Sequence, residues 1–286
     1  MITIALSTWF LLVWLWPIES QDVSIKENIT NIPTQEDLYR SDLTQANLGL
    51  LGVRFYESQD GKPRWEINSK FAELHRKENY AFLKTVTAHF FSETNQNNIS
   101  SKSDYGRSWT DKNRIELDGN VEIQSTQGYL FWMNHLTYDG RNHEFTSNDT
   151  VNMKGPDVKN PMMFLRGIGL RANISKDHFI LNHDVSAKKK LNTGDWLRIT
   201  SKKGEFFTAD SIAVFVENVV IKNKNLRGEA EKAILEVGGN QVVLEGKAKI
   251  KSDDNLIQGK RIKLYTDDDR IEVEEAEGKT SNDASR

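Results

Sequence analysis

Few residues in this 286-residue chain are spaced for chemistry. The segment Gly167-Ile-Gly169-Leu-Arg-Ala172 fits a dinucleotide-binding pattern, in which glycines let a tight turn approach a pyrophosphate at a helix N-terminus. The residues that follow, Asn173-Ile-Ser175, open another extended segment instead of a helix, so the pattern lacks the element that gives it meaning. The histidines are His75, His89, His135, His143, His178 and His183, and none form a pair at helical spacing. They read as isolated residues on polar strand faces, not as metal ligands. Asp267-Asp268-Asp269 lies between Leu264-Tyr265 and Ile271, where a hairpin turn is expected. A calcium loop needs spaced ligands and a closing glutamate. No nucleophile elbow or phosphate-binding loop occurs. The absence of cysteine removes disulfides, thiolate metal sites and cysteine nucleophiles, and it suits an oxidising compartment. The expectation is a protein with no catalytic residue, no metal and no cofactor.

The pattern that does recur is apolar. Five segments, Ile115 to Ile123, Phe145 to Met153, Phe179 to Ala187, Ala213 to Ile221 and Val242 to Ile250, stack without gaps. Position one reads Ile115, Phe145, Phe179, Ala213 and Val242; position three reads Leu117, Ser147, Leu181, Phe215 and Leu244. Position seven reads Val121, Val151, Val185, Val219 and Ala248; position nine reads Ile123, Met153, Ala187, Ile221 and Ile250. The starts, at 115, 145, 179, 213 and 242, are 30, 34, 34 and 29 residues apart, and Arg270 to Glu274 begins a degenerate sixth copy. A strand with every second residue apolar buries one face and wets the other. Repeats of about 30 residues, each holding two or three such strands, stack into an elongated sheet with one continuous apolar interior. Gly119 and Gly246, in the repeats, are expected at bulges or close approaches. Asp60-Gly61, between Val53-Arg54-Phe55-Tyr56 and Trp65-Glu66-Ile67, is a hairpin signal. Phe71 to Tyr80 is compatible with either a helical turn or a strand and loop.

Composition sets the frame. Hydrophobic residues make up 37% and charged residues 28%, enough for a packed core. A net charge of -3 from 38 basic and 41 acidic residues gives no overall basic excess for nucleic acid. Residues 1–17 are apolar and uncharged, ending at Pro17, without a basic start or a small-residue cleavage site. They read as an uncleaved membrane anchor, and the polar residues 18–45 as a tether. Residues 279–286 read as a loose tail.

Several of these stretches resemble a known family. Gly61-Lys-Pro-Arg-Trp65-Glu-Ile67-Asn-Ser69, Tyr80-Ala-Phe82-Leu-Lys-Thr-Val86, Ile115-Glu-Leu117-Asp-Gly119-Asn-Val121-Glu-Ile123 and Leu136-Thr-Tyr138-Asp139 look like the inner-membrane LptC component of lipopolysaccharide export. Further on, Ala209-Asp210, Leu226-Arg-Gly228-Glu-Ala230, Val243-Leu244-Glu-Gly246-Lys-Ala248 and Gln258-Gly259 with Leu264-Tyr265 look like the soluble OstA/LptA-type bridge module. Gly61 matches the family's hairpin glycine.

The resemblance implies an all-β, elongated open β-jellyroll, LptC-like over residues 46–190 and OstA/LptA-like over 191–278. It also implies an inner-membrane, single-pass location with a periplasmic domain. The implied partners are lipopolysaccharide, held by its lipid A acyl chains, inner-membrane ABC transporter subunits, and a periplasmic bridge protein of the LptA type. The residues expected to line the groove are Ile115, Leu117, Val121, Ile123, Phe145, Val151, Met153, Leu181, Val185, Phe215, Val219, Ile221, Leu244 and Ile250. Val53 and Phe55 at one end, and Ile271 and Val273 at the other, are the expected partner edges. The chief alternative is a non-lipid β-solenoid scaffold or adhesin of the envelope; a filled interior would favour it, an open trough would favour lipid. A β-sandwich hydrolase would need paired carboxylates in a cleft, and no pair is nominated.

Overall fold

Alternation produces strands, and with no substantial helix among the described residues the strands pack against one another. The computed structural model describes residues 48–276, apart from 93–97, 110, 225, 253–254 and 269. Residues 1–17, 18–45 and 279–286, read above as anchor, tether and tail, lie outside the described residues. Sixteen strands form one antiparallel sheet in which each strand pairs with its sequence neighbour. They are β1 (Leu48–Gln59), β2 (Lys62–His75), β3 (Tyr80–Phe90), β4 (Ile99–Trp109), β5 (Arg114–Ser125), β6 (Leu130–Asp139), β7 (Glu144–Gly155) and β8 (Met163–Asn173). After a 3-10 turn at Ile174–Lys176 come β9 (His178–Lys190), β10 (Trp196–Ser201), β11 (Lys203–Phe207), β12 (Ile212–Asn223), β13 (Leu226–Glu236), β14 (Gln241–Ser252), β15 (Asn255–Tyr265) and β16 (Ile271–Ala276). Strands β10 and β11 share one position, since both pair with β9 and β12.

A single sheet can bury one whole face only by folding over on itself. The fold line is built from bulges. In β5 the register jumps between Asp118 and Val121, and in β14 between Glu245 and Ala248. The extra residues are Gly119 (φ 75°) with Asn120 (φ 47°), and Gly246 (φ 79°) with Lys247 (φ 47°). Two successive left-handed residues kink the strand, and glycine takes the first of them without the Cβ penalty. A Cβ there would also press on Asp104 in one case and on Glu231 in the other. Left-handed residues mark the same corner in β3 (Thr85), β9 (Asp184) and β12 (Glu217, Asn218).

The corners divide the sheet into two layers. One holds the N-terminal halves of β3, β5, β7, β9, β12 and β14, the other their C-terminal halves. Rings from strands that are not sheet neighbours meet between the layers: Phe90 of β3 lies 4.9 Å from Phe145 of β7, and Phe131 of β6 lies 5.2 Å from Phe179 of β9. One hydrophobic core runs the length of the sheet, from Trp65 to Leu264. The architecture is an elongated β-jellyroll, open because β1 and β16 each pair on one side only among the described residues.

Asp60 (φ 53°) and Gly61 (φ 75°) make the two-residue loop between β1 and β2. Phe71 to Tyr80 is strand, turn and strand, without a helical turn. Gly167 and Gly169 lie inside strand β8, where no helix N-terminus exists for a phosphate. Thr266 to Asp268 form a turn between β15 and β16.

Candidate functional site: the apolar interior and its seam

Each of the five aligned segments occupies one strand, namely β5, β7, β9, β12 and β14. Their alternate residues point into the space between the layers. All fourteen groove candidates are buried: Ile115, Leu117, Val121, Ile123, Phe145, Val151, Met153, Leu181, Val185, Phe215, Val219, Ile221, Leu244 and Ile250 are each no more than 4% exposed. They form one cluster, joined by residues that the repeat did not mark, among them Leu83, Leu136, Leu197, Phe206 and Ile262.

The interior is filled by its own side chains. An apolar cavity of about 50 Å³ opens into it, lined by Ile123, Tyr129, Phe131, Phe145, Leu170 and Phe179. Cavities of about 150 Å³ are needed to admit a ring the size of benzene. An acyl chain therefore enters only if the layers part.

Where they can part is set by the backbone. Along the corners the strands are continuous, so that side is closed covalently. On the opposite side the hairpin turns of the two layers meet along a seam held by side chains. Trp65 Nε1 donates to Asn113 Oδ1 at 3.3 Å, and Asn113 Nδ2 donates to Glu57. Arg64 lies 3.1 Å from His143, whose other ring nitrogen is 3.3 Å from the Tyr138 hydroxyl. Burial pushes that phenol well above its ordinary pKa, so it remains protonated. Gln127 Nε2 donates to Asp177 at 3.2 Å, at the mouth of the cavity.

The last seam contact is Lys189, 1% exposed, whose ammonium donates to the carbonyls of Glu236 (2.8 Å) and Gly239. Burial pushes its pKa down to about 8, with Glu236 opposing the shift. Sequence reasoning missed these residues, because each bridge joins positions far apart in the chain. A lysine at an inward position of an apolar strand was the one available signal.

The two edges flank this interior. Val53 and Phe55 on β1, and Ile271 and Val273 on β16, are half-buried and pack against the ends of the core. Gly61 sits at the β1–β2 turn, away from the interior, with nothing within 4 Å of a built Cβ. Among the described residues, no group of three or more acidic or histidine side chains could hold a metal ion. Among them also, no helix is long and apolar enough to cross a membrane.

A folded meander with an apolar interior, a polar seam and, among the described residues, an unpaired edge at each end belongs to the open β-jellyroll class. Comparison with known families makes this specific. The family described as lipopolysaccharide-assembly, LptC-related, matches residues 1–191, and that described as LptA/(LptD N-terminal domain) LPS transport protein matches residues 170–270. The first match covers most of the chain, and the protein belongs to the LptC-related family. No curated protein matches it. Both families serve lipopolysaccharide transport and are not enzyme families; the first places the β-domain in the periplasm.

Proposed function

We propose that the chain carries lipopolysaccharide from the inner-membrane ABC transporter toward a periplasmic bridge protein, with lipid A acyl chains held between the two layers. The observation that supports this reading is continuity. The apolar interior runs without a break from the LptC-matched strands into the LptA-matched strands, and both sheet ends are unpaired among the described residues. On this reading residues 46–190 are the anchored component and residues 191–278 a built-in first bridge module. Residues 1–17 supply a single-pass anchor in the inner membrane.

The energetics allow the seam to open. Burial of an acyl chain contributes about 0.8 kcal/mol per methylene, so a chain of a dozen methylenes gives about 10 kcal/mol. Each seam hydrogen bond is worth about 0.5–1.5 kcal/mol. Lipid that replaces side-chain contacts across the interior outweighs the polar bridges it breaks. No nucleotide is needed at this protein for that exchange; the transporter supplies direction. At the two ends, the Val53–Phe55 edge faces the transporter and the Ile271–Val273 edge adds strand to strand with the next module.

The filled interior favours a second reading, a non-lipid scaffold. Purified chain carrying a photo-crosslinking residue at Leu181 separates the two. The transport reading expects a lipid A adduct there and none from Glu122, which lies on the outer face of β5. Equal, weak labelling at both positions favours the scaffold.

A further inference from the structure

The outer face carries a feature that the lipid path does not use. The registers place one outward residue per strand in a straight cross-strand row: Phe164 opposite Lys188, Lys188 opposite Arg198, Arg198 opposite Lys222, Lys222 opposite Arg227, and Arg227 opposite Lys251. All five cations are exposed. Like charges directly opposite on a sheet are destabilising. Among the described residues no carboxylate pairs with Lys188, Arg198, Lys222 or Lys251; Arg227 alone has one, Glu229.

The same strands show that like charges are no necessity of the fold. In the other layer β13 to β16 place Lys232 opposite Glu245, Glu245 opposite Arg261 and Arg261 opposite Glu274, with ion pairs at 3.1, 3.3 and 2.9 Å. The row also changes character along the sheet. Continued back from Phe164 it reads Lys154, Leu130, Gln124, Ser100, His89, Glu66 and Tyr56, in which Lys154, set over the Trp132 ring, is the single lysine or arginine and has no cation beside it in the row. The unbroken run of adjacent cations, from Lys188 to Lys251, is thus confined to one layer of the part matched by the LptA-type family.

Apolar side chains flank it. Phe164 (40% exposed) and Trp196 (39%) have ring centroids 5.8 Å apart, and Ile168 (36%) lies four residues further along β8. Leu256 (61%) stands opposite Lys251 at the far end. Cations that reach anionic headgroups, beside aromatic and aliphatic groups that enter the headgroup boundary, are the makings of a membrane-surface contact.

We propose that this face docks on a bilayer rich in anionic phospholipid. The five cations span four inter-strand steps, about 19 Å. Sheet twist of about 20° per step turns the ends of the row aside, so about three cations contact the surface at once. Each cation near an anionic surface is worth about a fivefold change in partition, so three give about a hundredfold. The row runs across the strands, along the length of the sheet. Docking therefore lays the C-terminal half along the membrane and holds the β16 edge off the perpendicular.

The chain has no cysteine, so single labels are clean. The full chain is reconstituted in vesicles of phosphatidylcholine, or of phosphatidylcholine with one-third phosphatidylglycerol, each containing a headgroup-linked quencher. A fluorophore is placed at Thr200→Cys, exposed on β10 in the basic layer, or at Asn182→Cys, exposed on β9 in the other layer. The expected result is strong quenching at position 200 on the anionic vesicles alone. High salt removes it, and so does Lys188→Glu with Arg198→Glu and Lys222→Glu, while position 182 stays unquenched. The matching triple glutamine variant gives the same loss and covers the case in which the glutamates disturb folding. Equal quenching on both vesicle types, or quenching that survives both triple variants, overturns the proposal. No quenching on either vesicle, with a fluorescence change on soluble polyphosphate instead, overturns the bilayer in favour of an acidic polymer.

Discussion

Lys189 links the energetics of the seam to pH. Its ammonium is 1% exposed and reaches across the interior to carbonyls at 236 and 239, and burial pushes its pKa from 10.5 down to about 8. In the unfolded chain the same group titrates near 10.5. Between these two values the unfolded state binds more protons than the folded state, so stability rises with pH across the window from about 8 to 10.5. Below about 8 both states hold the proton and this group adds no slope. The difference between the two pKa values corresponds to about 3–4 kcal/mol. Lys189→Met keeps the length of the stem and removes the charge. The measurement is urea denaturation followed by circular dichroism, for the parent and Lys189→Met, from neutral pH to above 10.5. The parent should gain about 3–4 kcal/mol relative to the variant across the window. A constant difference between the two proteins, or one that falls with pH, would refute the seam assignment of Lys189.

Phe215, fully buried between β11 and β13, should cost about 3–5 kcal/mol on replacement by alanine, whereas Glu122→Gln on the outer face should stay within about 0.5 kcal/mol; thermal denaturation of both checks this. Gly246→Val forces a β-branched residue to φ 79° against Glu231 and should destabilise by about 1–3 kcal/mol, read by the same assay. Ile271→Pro with Val273→Pro breaks β16, so it should abolish pull-down of the downstream bridge module and leave the transporter complex intact. Loss of the transporter with the bridge module retained would reverse the polarity of the two edges.

Much of the fold was legible because the bulges preserve parity. In β5 the step from Leu117 to Val121 spans a kink yet keeps inward residues on odd numbers; β7, β9 and β12 do the same, and β14 keeps its inward residues on even numbers from Val242 to Ile250. Strand β3 belongs to the same series but escaped the gapless alignment. Its corner is the single residue Thr85, which moves the inward set from Ala81 and Leu83 to Val86, Ala88 and Phe90. The division of β10 from β11 at Lys202 left no mark in the pattern either. The seam was illegible for another reason: Gln127 and Asp177 are 50 residues apart, and only the folding-over of the sheet brings them together. The basic row was hidden likewise, since residues 188, 198, 222, 227 and 251 follow no period and align only through strand register.

The central claim is a single lipid path through both halves. Photo-crosslinking residues installed in living cells at Val121, Leu181, Phe215 and Leu244, with Glu122 as the outer-face control, test it most directly. The account predicts lipopolysaccharide adducts at all four interior positions and none at Glu122, with the adducts lost when the transporter is starved of ATP. Adducts confined to Val121 and Leu181, or absent throughout in a protein that still folds and supports transport, would contradict it.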